Sequence, residues 1–267
     1  MARKTSQPTV PLYSSKIIKA GALLPDTRIL LAAWDDHASV EENLDRALQR
    51  NVFGKASRAR VANVLRSFKL RYLADREITK GVLTLFRDGF PTESLDRVLY
   101  FLTLQSDPLL HDAVTAFLVP FAQQGRQEVA AADMARWVQA QSDQGRTTTP
   151  WNAETIERVS QGIMSTLRDF GILTGSVTKR VAPVYLPVPA FCFVAYLLFR
   201  QQPSGDRLVH DPSWQVFFLT PLAVERSLAE AHQERLLEYH AAGRIMRINF
   251  PAQSVEEYAH ALTQRAH

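Results

Sequence analysis

The residues from Thr155 to Pro187 limit the fold of this 267-residue chain more than any other segment. Apolar residues recur at helical spacing over residues 154–170, and Gly171 then interrupts the pattern. Residues 172–185 follow as a short β-hairpin around the turn Thr174-Gly175-Ser176. A helix that stops at glycine and leads into a basic hairpin is typical of a winged helix-turn-helix, in which the helix enters the major groove. The pattern therefore predicts a winged-helix-like region with a short β-hairpin.

The two sides of this predicted helix have different roles. At 100° per residue, one narrow apolar stripe is predicted to be core: Ile156, Val159, Ile163, Leu167 and Phe170. The opposite side gives the candidate nucleic-acid-binding residues Arg158, Gln161, Ser165 and Arg168. Arginine and glutamine reach guanine and adenine edges, and serine is a general hydrogen-bonding residue.

The residues before the helix support this prediction, whereas two acids near its polar face oppose it. Thr149 and Asn152 stand where hydroxyls and backbone amides can hold a phosphate, so both are candidate nucleic-acid-binding residues. Glu154 and Glu157 lie near the same polar face and repel phosphate. An ordinary solvated helix face is therefore the alternative interpretation.

The hairpin contains two adjacent cations, Lys179 and Arg180, at or near its tip. Such a pair beside a recognition helix predicts contacts with phosphate. The alternative is that both residues keep an exposed strand edge soluble.

The N-terminal part of the chain is basic. Residues 1–80 contain 15 Lys and Arg against 8 Asp and Glu, and residues 46–80 contain ten against two. A helix is predicted over residues 57–73, with Arg58, Arg66 and Lys69 on one flank and Arg60 and Arg71 on the other. These five are candidate phosphate contacts, which would give affinity without sequence preference and a steep salt dependence. The alternative is that their stems cover the apolar stripe and their charges pair with acids elsewhere.

The charge changes sign along the rest of the chain, which favours a polyanion on part of the surface. The net charge is −3 over residues 81–150, +2 over 151–200 and −2 over 201–267. Residues 123–126 are the predicted boundary between a helical basic domain, residues 1–124, and a winged-helix-like and helical domain, residues 125–267. The whole chain is predicted to be mainly α, with a helix over residues 224–242 that ends at Gly243.

No motif for catalysis is found. The chain lacks a phosphate-binding glycine loop of either common type, the zinc pattern H-E-x-x-H and the nucleophile elbow G-x-S-x-G. Asp35, Asp36 and His37 are more simply a polar helix end than a metal site. We therefore expect a non-enzymatic protein with no metal and no cofactor. A nuclease whose carboxylates are assembled only by the fold is the alternative.

Two observations predict a cytoplasmic protein. The single Cys192 cannot form an internal disulfide, and Met1 to Val10 contain no apolar signal region. The apolar run of residues 186–199 is shorter than the roughly 20 residues that a membrane span needs. It is predicted to be a buried helix, so no contact with a membrane is expected.

Three segments resemble the BrxA family, a small accessory component of bacteriophage exclusion (BREX) defence systems. They are Tyr13 to Leu23, the basic helix from Arg58 to Tyr72, and Leu167 to Leu173 with the hairpin that follows. The resemblance covers about residues 13–200 and its motifs are diffuse.

The resemblance implies a non-enzymatic, mostly helical protein with a fold similar to the antitermination factor NusB. It implies binding to double-stranded DNA, with RNA as a further partner to test, beside the methyltransferase, phosphatase and ATPase components of BREX. It supplies no catalytic residues. A scaffold that docks on other BREX components remains the alternative, and it predicts DNA binding that vanishes near physiological salt.

Overall fold

The structure is a computed structural model that describes residues 12–242 and 245–265. It is mainly α with a few short antiparallel strands, as predicted. The helices are α1 (Leu24–Ala32), α2 (Val40–Arg50), α3 (Arg58–Tyr72), α4 (Arg76–Arg87), α5 (Thr92–Ser106), α6 (Pro108–Asp112), α7 (Val119–Gln123), α8 (Ala131–Asp143), α9 (Ala153–Asp169), α10 (Val188–Gln201), α11 (Gly205–Val209), α12 (Pro221–Gln233) and α13 (Val255–Arg265). The strands are β1 (Glu128–Val129), β2 (Leu173–Thr174), β3 (Lys179–Val181), β4 (Glu238–Ala242) and β5 (Ile245–Asn249). Ser15–Ile18 and Pro212–Phe217 form 3-10 turns, and Ala113–Leu118 form a π-helical turn.

The chain folds into two compact units, and each unit combines two segments of the sequence. Unit 1 contains Met1–Gly21 and Asp107–Ala182, and unit 2 contains Ala22–Ser106 and Pro183–His267. The domain boundary after residue 124, which was inferred from the sequence alone, stays a prediction.

Helix α9 forms the centre of unit 1, and its two ends are those that the sequence predicts. Asn152 caps its first turn, because its Oδ1 accepts a hydrogen bond from the Thr155 backbone N–H at 2.8 Å. Gly171 takes the left-handed conformation at φ 72°, which only glycine adopts at little cost. The Ile172 N–H then returns to the Leu167 carbonyl at 2.8 Å and closes a Schellman motif. The predicted apolar stripe is buried.

Three short strands complete unit 1. The order along the chain is α6 and α7, then β1, α8 and α9, and finally the hairpin β2–β3. Strand β3 lies between the other two and pairs antiparallel with both. The sequence predicts the hairpin, whereas β1 adds a third strand that it does not predict.

The N-terminal segment of unit 1 packs against α9 and the loop before it. The Tyr13 N–H donates to the Arg146 carbonyl at 2.7 Å, and the Thr148 N–H donates to the Tyr13 carbonyl at 3.0 Å. A Cβ on Gly162 would lie 3.3 Å from the Ile17 carbonyl oxygen, so this helix position allows the close approach. The residues before Leu12, including the polar segment Met1 to Val10, lie outside the described residues.

Helix α10 forms the core of unit 2 and is buried, as predicted for the apolar run. Phe191 and Phe193 expose none of their surface, and Phe191 stacks on Trp214 with ring centroids 4.8 Å apart. Helices α5, α12 and α13 pack around α10. Among the described residues, no helix combines the length and the apolar content that crossing a membrane requires.

The helix predicted over residues 224–242 is wrong in its second half. Helix α12 ends at Gln233, because Arg235 takes the left-handed conformation at φ 59°. The residues Glu238–Ala242 form strand β4, which pairs antiparallel with β5 and sets Tyr239 opposite Ile248. A helical sequence pattern does not reveal such a cross-strand partner. The predicted C-cap at Gly243 lies outside the described residues.

The contact between α4 and α13 in unit 2 depends on Gly81. A Cβ at this position would lie 2.5 Å from Val255 Cγ1 and 3.2 Å from the Phe193 ring. We therefore expect Gly81→Ala to lower the free energy of unfolding by about 1–3 kcal/mol through overpacking, measured by denaturant titration. Ala62→Gly on the partly exposed side of α3 is the control for a generic helix effect of about 1 kcal/mol. Unchanged stability of the Gly81→Ala protein would contradict this packing.

Candidate nucleic-acid interface

Helix α3 of unit 2 is the most one-sided element in charge. It begins after Ser57, whose Oγ caps the Arg60 backbone N–H at 3.2 Å, and it contains five basic and no acidic residues. Its apolar stripe is buried as predicted, and it packs against α2, α4 and α5. Four of the five predicted phosphate contacts are exposed: Arg58, Arg60, Arg66 and Lys69.

The acid next to Lys69 compensates the charge of that lysine little. Lys69 Nζ lies 3.7 Å from Glu41 Oε1 of α2, and both side chains are more than half exposed. An ion pair of this length in solvent contributes about 0–1 kcal/mol, so a phosphate can replace the carboxylate. The exposed surface of α3 is therefore a strong candidate for binding a polyanion.

Arg71, the fifth predicted phosphate contact, is buried and does not belong to that exposed surface. Its side chain is 9% exposed, and its Nη1 donates to the Ala22 carbonyl at 3.2 Å. The residue lies at the edge of the buried stripe, where the guanidinium satisfies a backbone carbonyl at the start of unit 2. Its role there is structural.

The exposed side of α9 in unit 1 has a different electrostatic character. Arg158 Nη1 lies 3.6 Å from Glu154 Oε1 one turn away, and Gln161 Nε2 donates to Glu157 Oε1 at 3.0 Å. Both predicted base-reading side chains are exposed, yet each is paired with an acid of the same helix.

The predicted contacts in the C-terminal half of α9 also have hydrogen-bond partners within the helix. Arg168 donates to Asp169 Oδ1 through Nε at 3.0 Å and through Nη2 at 2.7 Å. Ser165 Oγ donates to the Gly162 carbonyl at 3.1 Å and is only partly exposed. With two arginines against three carboxylates, α9 has a net charge of −1.

Two further candidates, Thr149 and Asn152, precede α9 in the chain. Asn152 is exposed, but its Oδ1 is used as the helix cap. Thr149 is exposed, and its carbonyl accepts a hydrogen bond from Thr147 Oγ1 at 2.8 Å. The amides at this helix end remain positioned for an anion, but Asn152 is already committed to the fold.

Lys179 is buried in the hairpin, so its ammonium group is not presented to solvent as the predicted phosphate contact would need. The residue is 7% exposed, and its Nζ donates to the Ser176 carbonyl within the hairpin. Successive residues of a strand point to opposite faces, so only one of two adjacent cations can face solvent here. That one is Arg180, which is exposed and forms an ion pair with Glu128 on β1. The hairpin turn itself exposes Val177 almost completely, at 94%.

A polar cluster holds the loop that leads into α9. The Tyr13 hydroxyl donates to Asp112, Arg146 Nη2 donates to the same carboxylate at 2.9 Å, and His111 Nδ1 lies 3.0 Å from its other oxygen. The Arg146 guanidinium also lies 4.6 Å from the centre of the Tyr13 ring. The hydrogen bonds of His111, Tyr13 and Arg146 hold the pKa of Asp112 at about 2, although partial burial acts in the opposite direction.

Asn63 is not among the predicted site residues, although it is partly exposed on the same side of α3 as Arg66. Arg66 Nη1 donates to Asn63 Oδ1 at 3.4 Å. Asn63 carries no charge and gives no signal of a phosphate-binding surface, but its place three residues before Arg66 on the helix can be read from the sequence. Among the described residues, no group of three or more His, Cys, Asp or Glu side chains is arranged to hold a metal ion.

Comparisons with known proteins give a family and a fold. The family model described as BrxA matches residues 11–196. A crystal structure of an uncharacterized protein from Magnetospirillum magneticum is similar, with a TM-score of 0.59 and 15% sequence identity. The similarity covers 78% of this chain and 98% of that one, and it concerns the fold alone. No curated protein matches the chain at a significant level.

The two hairpin cations should differ in what they stabilise. Lys179→Ala removes a charged hydrogen bond inside the hairpin, so we expect it to lower the free energy of unfolding by about 1–3 kcal/mol. Arg180→Ala removes an exposed ion pair and should cost at most about 1 kcal/mol. Thermal and denaturant unfolding measure both, and equal effects would contradict the burial of Lys179.

The polar cluster around Asp112 should make unit 1 sensitive to acid. The folded pKa of about 2 lies below the ordinary value of 3.8, so the stabilisation is complete above about pH 5 and is lost as the pH falls towards 2. We expect Asp112→Asn to be less stable than the wild type by about 1–2 kcal/mol at pH 5, with a smaller difference at pH 2.5. Denaturant titrations at both pH values measure this, and a constant difference would contradict the role of the charge.

Proposed function

Because the chain belongs to the BrxA family and is therefore a BREX-associated protein, we propose that it binds duplex DNA, largely through the sugar–phosphate backbone. The proposed role is non-enzymatic and cytoplasmic, next to the methyltransferase, phosphatase and ATPase components of the system. One observation supports it above all others, the exposed basic surface of α3.

The physical argument concerns counterions. Each lysine or arginine that contacts a phosphate displaces a condensed cation from the DNA, and this release drives binding. Arg58, Arg66 and Lys69 stand on a helix that has no carboxylate of its own. Acid-free helix surfaces of this kind attract a polyanion, whereas a face that alternates both signs does not.

A second feature is the unfavourable interaction between the helix dipole and the cations in the first turn of α3, which a bound phosphate would offset. The first turn of α3 contains Arg58 and Arg60 and no acidic residue. Cations at a helix N-terminus are disfavoured by the helix dipole, by about 0.3–1 kcal/mol each. An anion bound near this end would reverse the sign of that interaction.

Unit 1 supports the proposal through its architecture more than through its charge. The order of α8, α9 and the hairpin β2–β3, with β3 between β1 and β2, is the order expected of a winged helix. We propose that α9 and the hairpin are auxiliary contacts. Their exposed ion pairs are weak enough to exchange with phosphate.

A protein-docking scaffold is the second candidate, and the same α9 surface favours it. Arg158, Arg168 and Arg180 are each paired with a neighbouring acid, and the hairpin exposes the apolar Val177. Exposed ion pairs and an exposed apolar residue both occur commonly in protein interfaces. In this role the chain would contact another BREX component through unit 1.

The test of the proposal is the salt dependence of DNA binding. Fluorescence anisotropy with labelled duplex DNA should show affinity that persists at physiological salt and falls linearly with log salt concentration. Arg58→Gln with Lys69→Gln should weaken binding to all sequences alike and reduce the slope by about 2, since each phosphate contact contributes about 0.9. A matched loss of two exposed cations elsewhere in unit 2, Arg207→Gln with Arg226→Gln, is the control.

Three results would contradict the proposal. Equal slopes for the two double variants would remove α3 from the interface. Binding that vanishes near physiological salt would favour the scaffold. Magnesium-dependent cleavage of the duplex would mean that the protein is a nuclease. An RNA hairpin in a parallel titration decides between the two nucleic acids.

A further inference from the structure

We infer that α3 lies in the major groove of duplex DNA and reads its sequence through Asn63 and Arg66. This inference rests on the proposed function and adds a sequence-reading role to a surface that was expected to contact only phosphate. It also moves that role from α9 of unit 1 to α3 of unit 2.

The angular order of side chains around α3 supports the inference. At 100° per residue, the exposed direction of the helix lies opposite the buried stripe, and Ala59, Asn63, Arg66 and Leu70 fall within about 40° of it. Three of these four are exposed and Asn63 is partly exposed. The outermost strip of the helix therefore has three uncharged residues, Ala59, Asn63 and Leu70, and one central arginine.

The remaining cations stand on both sides of that strip. Arg58 and Lys69 lie about 95–115° from the exposed direction on one side, and Arg60 lies about 85° from it on the other. A helix inserted in the major groove has one phosphate backbone along each side. Cations on two flanks, with one arginine among uncharged residues between them, match that arrangement, whereas a helix lying across one backbone would concentrate its cations on its outermost strip.

Asn63 and Arg66 have the chemistry of base readers. Asparagine pairs with the adenine edge and arginine with the guanine edge, each through two hydrogen bonds. The contact of Arg66 Nη1 with Asn63 Oδ1 at 3.4 Å holds the two side chains next to each other. Their axial separation of about 4.5 Å is close to the roughly 3.4 Å spacing of base pairs, so they suit neighbouring positions.

The apolar members of the strip add to this interpretation. Leu70 exposes 48% of its surface and is among the large exposed hydrophobic side chains of unit 2. Ala59 lies nearly on the same line of the helix. Apolar side chains in the major groove contact the methyl group of thymine. A helix that contacted only phosphates would have no use for an exposed leucine at this position.

Helix α9 lacks this arrangement. Its two arginines and Gln161 are held by carboxylates of the same helix or its end, and three acids face the solvent. Inserting these carboxylates between two phosphate backbones is unfavourable. On α3, Lys69 lies 3.7 Å from Glu41, and this pair stands on the Lys69 flank outside the central strip.

The experiment selects preferred sequences from a duplex library with a randomised core, using the full-length protein at physiological salt. We expect the wild type to enrich a motif in which an adenine lies next to a guanine. Arg66→Lys keeps the charge but loses the paired hydrogen bonds, so discrimination at the guanine should fall by about 5- to 150-fold. Asn63→Ala should remove the preference for adenine in the same way.

Controls separate loss of reading from loss of folding or of DNA binding. Affinity for unselected duplex should change by less than 2-fold in Arg66→Lys, and its thermal unfolding should match the wild type. Arg226→Lys on α12, an exposed arginine outside the proposed interface, should leave the motif unchanged.

The other outcomes overturn the inference in distinguishable ways. Retained binding without any enriched motif would leave duplex binding intact and end the reading role of α3. A motif that survives both α3 variants and changes with Arg168→Lys would assign reading to α9. An absence of binding to any duplex would end the proposed function itself.

Discussion

The burial of α10 is the constraint on which unit 2 depends. This helix can be covered only by surrounding it with other helices, and α5, α12 and α13 do so. Helix α3 packs in turn on α5 with one apolar stripe, and its remaining surface faces solvent. The basic surface is therefore supported by a rigid packed helix, which suits it to contact a regular partner such as a duplex.

Compensation of charge distinguishes the two candidate surfaces. On α9, Arg158 and Arg168 are neutralised by acids one turn or one residue away. On α3, the carboxylate nearest to Lys69 belongs to another helix and is well exposed. The acids that lie next to the cations distinguish α3 from α9 more clearly than the number of cations does. Binding of a polyanion depends on the net electrostatic field of the surface, to which both signs of charge contribute. The chain belongs to the BrxA family, and the proposal that α3 rather than α9 is the main DNA-binding helix rests on this difference.

Local sequence signals predicted local structure well. The stop at Gly171 ends α9 as expected, and the caps Ser57 and Asn152 begin α3 and α9 near the predicted starts, because each signal acts within one turn of its helix. Features that depend on distant partners could not be predicted. Lys179 is buried on β3, which pairs with β1, and β4 was predicted as part of a helix because a helical sequence pattern does not reveal its pairing with β5. The two segments of each unit meet only through such long-range packing.

The most direct test of the central claim is to map which residues touch DNA. The full-length protein would be cross-linked to a duplex that contains photoreactive thymine analogues, whose reactive groups lie in the major groove, and the attached peptides would be identified by mass spectrometry. We expect cross-links within Arg58–Tyr72 of α3. Cross-links confined to Ala153–Asp169 of α9 would contradict the account.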